Sequence, residues 1–185
     1  MRLWRALPLD ERSIHDQPGG ALWFPREQQG AGRHDNPELY GCLYVASDPV
    51  SAVAEQLAPF RGSGTLVPSM LIRFGLPLAL AALELNDDVP VVDLDDPQVL
   101  DAEGLRPSRV ATRLRSATQL QAAEIYAAHG DAMAIRWWST LEASWINWTI
   151  FGRAAPALDL TETALLDVGN GVVREAADLL GLASA

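Results

Sequence analysis

Five side chains in this sequence stand where chemistry could be done. Glu55 lies in a stretch with apolar residues at Val50, Val53, Ala54 and Leu57, the i, i+3, i+4, i+7 spacing of a buried helical face. Its carboxylate falls nearly opposite that face, toward solvent or a cleft. Arg33 follows Gly30-Ala31-Gly32. Glycines let a backbone approach an anion, and a guanidinium grips oxyanions in paired hydrogen bonds. Taken alone, Arg33 is a surface-loop arginine. Arg5 is flanked by Leu3-Trp4 and Ala6-Leu7, so it reads as a strand arginine facing a polar pocket or a sheet edge. Tyr44 sits inside an apolar strand, as a core or sheet-face tyrosine whose hydroxyl finds a partner. Ser139 closes the run Ala134-Ile135-Arg136-Trp137-Trp138. No Gly-x-Ser-x-Gly elbow surrounds it, so it suits hydrogen bonding to a ligand better than nucleophilic attack.

Other features carry less. Four of the six tryptophans lie from Trp137 to Trp148, either as core or as a surface that stacks on sugars or bases. His15, His34 and His129 are scattered, with neither His-x-His nor His-Glu-x-x-His spacing, so no metal is expected. Gly62-Ser63-Gly64 is a turn, without the rest of a phosphate-binding fingerprint.

The elements that must hold these residues can be read from local pattern. Asp10 to Pro37 is rich in Gly, Pro, Gln and charge, and reads as a long irregular loop of the kind that carries function. Cys42–Ser47 reads as a strand. Asp48-Pro49 opens a helix, with Asp as N-cap and Pro in the first position. Met70–Phe74, Leu78–Leu85 and Val89–Leu94 read as strands, and Asp96-Pro97 caps a short helix. Ser108 is expected to cap one long helix running to about Ala128, stopped by Gly130. Ala132–Ser139 and Trp145–Phe151 are further strands, and 172–182 is helical. Strands and helices mix without βαβ alternation. The expected fold class is α+β, a single domain around one mixed sheet.

The chain has 185 residues and a net charge of −10. Every basic residue other than histidine is arginine. So acidic a chain is a poor partner for nucleic acid, whose phosphates need basic groups. One cysteine, Cys42, excludes an internal disulfide and any multi-cysteine metal site, and suits a reducing cytoplasm. The most apolar run, Phe74–Leu83, is broken by Pro77 and is half the length of the roughly 20 residues a membrane span needs. The first residues lack a signal-peptide pattern. A soluble intracellular protein is expected.

Taken in order, these residues resemble the RES domain family, named for arginine, glutamate and serine, whose members include toxins of the Xre–RES toxin–antitoxin systems. Leu3-Trp4-Arg5 matches the family's early arginine element. Gly32-Arg33-His34-Asp35-Asn36 matches Gly-Arg-Trp-Asn loosely, with His34 where the family prefers tryptophan and Ala31-Gly32 for the usual Gly-Gly. Leu43-Tyr44-Val45-Ala46-Ser47 and Ala52-Val53-Ala54-Glu55 match the strand and helix that follow. Val91–Pro97 looks like the central strand. Ala134-Ile135-Arg136-Trp137-Trp138-Ser139 matches the late Gly-Ile-Arg-Tyr-x-Ser strand, and Asn147 and Phe151 its sequel.

The resemblance implies a fold similar to ADP-ribosyltransferases, with a core at about 3–151 and a C-terminal extension at 152–185. It implies an NAD phosphorylase or NAD glycohydrolase: a toxin that breaks the nicotinamide–ribose bond with inorganic phosphate or water, using no metal. The alternatives are transfer of ADP-ribose to a protein, or an inactive binding module. Cleavage builds positive charge on the anomeric carbon, which a carboxylate stabilises, and Glu55 takes that role. Arg33 and Arg5 would grip the pyrophosphate. Tyr44 would pack on or hydrogen-bond the ribose, and Ser139 would position the nicotinamide amide or ribose. An Xre-type antitoxin is the implied partner, with any DNA contact left to it. A homodimer is the default for a small enzyme of this kind.

Overall fold

Asp48 begins the first long helix as its chemistry requires. Its carboxylate accepts from the Ser51 backbone N–H at 2.9 Å, Pro49 takes the first helical position, and α1 runs Pro49–Leu57. The computed structural model describes residues 1–183. Its backbone divides into two compact units: one of Met1–Trp23, Val45–Glu84 and Asp159 onward, the other of Phe24–Tyr44 and Leu85–Leu158.

In the first unit, β1 (Arg2–Pro8) pairs antiparallel with β4 (Leu76–Leu85), Arg5 opposite Ala81, while Trp4 lies opposite Ala46 of β2 (Cys42–Ala46). Strands therefore flank β1 on both sides, so Arg5 is not at an edge. β3 (Ile72–Arg73) turns into β4 through Phe74-Gly75, whose φ angles of 53° and 78° are those of a two-residue hairpin turn. β8 (Leu158–Leu165) adds to β4. The apolar face of α1 packs on β1 and on α5 (Gly171–Leu179), burying Val53, Ala54 and Leu57 with Leu3, Val173 and Ala176.

In the second unit, β7 (Ile146–Phe151) lies between β2 and β6 (Ala134–Trp138) and runs antiparallel to β6, while β5 (Val91–Asp93) runs parallel to β6. Asp96 caps α2 (Pro97–Ala102) by accepting from Gln98 N–H. Val92, Leu94, Ile125, Ile135, Trp137 and Phe151 anchor the core. Antiparallel and parallel pairing together with helices give the α+β architecture that the sequence predicts.

Two expectations need correction, and one strand is unmarked in the sequence. Ser108 does not cap a long helix. It lies inside a single turn, α3 (Pro107–Val110), and α4 (Arg115–Ala128) starts separately at Leu114 without a side-chain cap. The break has a visible cause. A continuous helix would bond Leu114 N–H to the Val110 carbonyl. That carbonyl instead accepts from Arg33 Nη1 at 2.8 Å, and Leu114 N–H turns to Thr112 Oγ1 at 3.2 Å. The strand expected at Met70–Phe74 shrinks to Ile72–Arg73, because Pro68 starts a 3₁₀ turn over Pro68–Leu71 and the hairpin turn follows at once. The sequence reading had no strand at β8. Most of its residues are exposed, so it shows little of the apolar alternation that marks a strand.

Candidate functional site

The glycine loop folds around its own acid. Asp35 Oδ2 accepts from Gly30 N–H at 2.8 Å and from Gly32 N–H at 2.7 Å. Its Oδ1 accepts from the Tyr44 hydroxyl at 2.6 Å and from the Cys42 thiol at 3.5 Å. Burial alone would raise the Asp35 pKa, but the bonds from Tyr44, Gly30, Gly32 and Cys42 outweigh it and hold the carboxyl below its ordinary value. Burial first, and then the neighbouring Cys42 and Asp35, push the Tyr44 hydroxyl well above its own. Gly32 is required here: a Cβ would meet Asp35 Oδ1 at 2.4 Å and Tyr44 Oη at 2.6 Å. The backbone N–H groups that the sequence offers to an outside anion are thus held by an internal one.

Arg33 is not a surface-loop arginine. It is 4% exposed. Its guanidinium lies 4.8 Å from the Trp137 ring centroid, in cation–π geometry, and donates to the Val110 carbonyl. Its own carbonyl accepts from Thr118 Oγ1 at 2.6 Å, and Gln119 Nε2 bonds the carbonyls of Gly30 and Gly32 at 2.9 Å each. α4 therefore splints the loop from one side.

His34 fills the place beside it. Its ring meets Trp137 edge-on at 5.3 Å, and its backbone N–H donates to Tyr44 Oη at 2.8 Å. Trp137 Nε1, a donor only, bonds Thr149 Oγ1 at 3.1 Å, and the same hydroxyl is hydrogen-bonded to His34 Nδ1 at 2.7 Å. Burial, and next the Arg33 charge, lower the His34 pKa to about 3, so the ring is neutral.

Among the other expected residues, Ser139 is 2% exposed and its Oγ accepts from Leu141 N–H at 3.0 Å, closing a turn after β6. Trp137 and Trp148 are core, while Trp138 and Trp145 are half-buried. Arg5 is partly buried in the first unit and donates to the carbonyls of Ala21 and Trp23; burial lowers its pKa to about 10, still cationic at neutral pH. Glu55 is exposed on α1, on the side the helical projection assigns. The structure thus brings Arg33 and Tyr44 into one bonded cluster in the second unit, which also holds Ser139, and sets Arg5 and Glu55 on β1 and α1 of the first. Among the described residues no group of three His, Cys, Asp or Glu side chains could hold a metal ion.

Asp35, Thr118, Gln119 and Thr149 escaped the sequence reading. Asp35 had a local signal, an Asx residue three positions after a glycine, able to bond the backbone behind it. The others bond the loop from 85 or more positions away, apart from any local pattern.

The RES domain family model matches residues 2–169. No curated protein matches the chain significantly. Among solved structures, the chain is similar to one in the crystal structure of the M. tuberculosis MbcT–MbcA toxin–antitoxin complex, at 17% identity, with 97% of this chain and 88% of that one covered and a TM-score of 0.66. The likeness is one of fold, and it agrees with the α+β, ADP-ribosyltransferase-like architecture expected above. With a match across nearly its whole length and its Arg33 loop built into the core, the chain belongs to the RES domain family.

Proposed function

We propose that the chain is a toxin that consumes NAD, breaking the nicotinamide–ribose bond by phosphorolysis or hydrolysis. The observation that carries this reading is the RES family match over residues 2–169, which includes all five expected site residues. In this reading Glu55, exposed on a rigid helix, stabilises the positive charge that grows at the anomeric carbon as nicotinamide leaves. Arg33 and Arg5 hold the pyrophosphate oxygens. Arg33 is suited to this because its guanidinium is already desolvated and oriented, which lowers the ordering cost of gripping an anion. Tyr44 presents its ring to the ribose, its hydroxyl donating its hydrogen bond to Asp35. Ser139 orients the nicotinamide amide or the ribose by hydrogen bonding. Inorganic phosphate or water completes the reaction, and no metal takes part.

The reading extends to a partner and a place. An antitoxin of the Xre type would neutralise the chain and carry any DNA contact, the toxin would work in the cytoplasm, and the free enzyme would be a homodimer. The likeness to a chain of a toxin–antitoxin complex supports the partner. Purified protein mixed with NAD, with and without phosphate, tests the chemistry. Free nicotinamide is expected, and ADP-ribose 1″-phosphate against ADP-ribose distinguishes phosphorolysis from hydrolysis. Label from NAD appearing on a protein band would favour ADP-ribosyl transfer instead. Folded protein that releases nothing in either buffer would refute the enzyme.

A further inference from the structure

We propose that Asp35 is the positioning residue of this site, fixing the backbone on both sides of Arg33 so that its guanidinium is presented to a ligand in one orientation. The proposal rests on the reading of Arg33 as an anion-gripping residue.

The argument is geometric. The peptide N–H that precedes Arg33, on Gly32, is bonded directly to Asp35 Oδ2. The peptide N–H that follows it, on His34, is bonded to Tyr44 Oη, and the Tyr44 hydroxyl is bonded in turn to Asp35 Oδ1. Arg33 therefore hangs between two tethers that end on the same carboxylate. A third tether, from Gly30 N–H, fixes the entry to the turn. Tethers from α4 act on the carbonyl side, through Thr118 and Gln119.

The same count separates positioning from catalysis. A carboxylate offers about four lone-pair sites. Asp35 receives four donors, from Gly30, Gly32, Tyr44 and Cys42, and is 6% exposed. It has no site left for a substrate proton or a developing cation. Its charge is spent on the loop. Asparagine cannot replace it in full: one oxygen would serve the glycine N–H groups, but the amide N–H₂ would face Tyr44 Oη, which already accepts from His34. The Tyr44 hydrogen would lose its acceptor and the His34 tether would slacken.

Two measurements test this. In the first, NAD kinetics are compared for the parent, Asp35→Asn, Tyr44→Phe and the double variant, all checked for folding by their melting curves. A roughly tenfold rise in KM for NAD in Asp35→Asn is expected, with kcat changed less than threefold. Tyr44→Phe should add little to KM in the Asp35→Asn background, because both remove the same tether. An unchanged KM, or fully additive effects, would overturn the proposal. The second measurement does not need turnover. Amide hydrogen exchange at Gly30, Gly32 and His34 in Asp35→Ala should quicken at least tenfold, while Ile135 and Ile150 in the strands stay as in the parent. Equal exchange at the loop amides, or acceleration everywhere, contradicts a local tether. If the parent releases no nicotinamide, the NAD reading fails, and the exchange result alone decides whether Asp35 positions Arg33.

Discussion

Glu55 in the first unit and His34 in the second should behave very differently under substitution. Glu55 is exposed, so its loss removes little packing. Glu55→Ala should leave unfolding free energy within about 0.5 kcal/mol of the parent, read from urea melts, while nicotinamide release falls at least a hundredfold. An exposed carboxylate with only a solvent role would leave activity intact. His34 is the reverse case. Its buried ring takes a proton only near pH 3, whereas an unfolded histidine takes one near 6.5. Between those values the unfolded chain binds the extra proton, so stability falls as pH drops through that window, by about 1.4 kcal/mol per pH unit at most. His34→Asn keeps an acceptor near Thr149 but removes the titration. Its melting temperature should decline less than the parent's between pH 6.5 and 4.5; parallel curves would show that His34 is not the group responsible.

At the scale of elements, some of the structure is legible in short stretches and some is not. The starts of α1 and α2 could be read because Asp-Pro caps act within three residues. The division of α3 from α4 could not, because its cause is Arg33, 77 positions earlier, taking the Val110 carbonyl. Arg33 looked like a surface residue for the same reason: the ring that covers it, Trp137, is distant in sequence. Glu55 was legible because helical projection is local. Two element-level predictions follow from this division. Gly32→Ala should lower stability by about 1–3 kcal/mol, since the new methyl meets Asp35 and Tyr44 rather than space, whereas Gly130→Ala, with nothing within 4 Å, should stay close to the parent in thermal melts. Truncation after Phe151 should unfold the first unit, because it removes β8 from β4 and α5 from α1; a truncated chain with native-like cooperative melting would contradict that packing.

For the whole molecule, the acidic charge fits the proposed reading, an enzyme acting on a small phosphorylated substrate, better than it fits nucleic-acid binding. A net charge of −10 repels polyanions at long range, while a single desolvated guanidinium can still capture a diphosphate at short range. The most direct measurement of that claim is nicotinamide released from NAD by the purified parent, Glu55→Ala and Arg33→Ala chains, each with and without inorganic phosphate. The account predicts release by the parent, at least a hundredfold less with Glu55→Ala, and a raised KM with Arg33→Ala. Folded parent protein that leaves NAD intact in both buffers, or a Glu55→Ala chain as active as the parent, would contradict it.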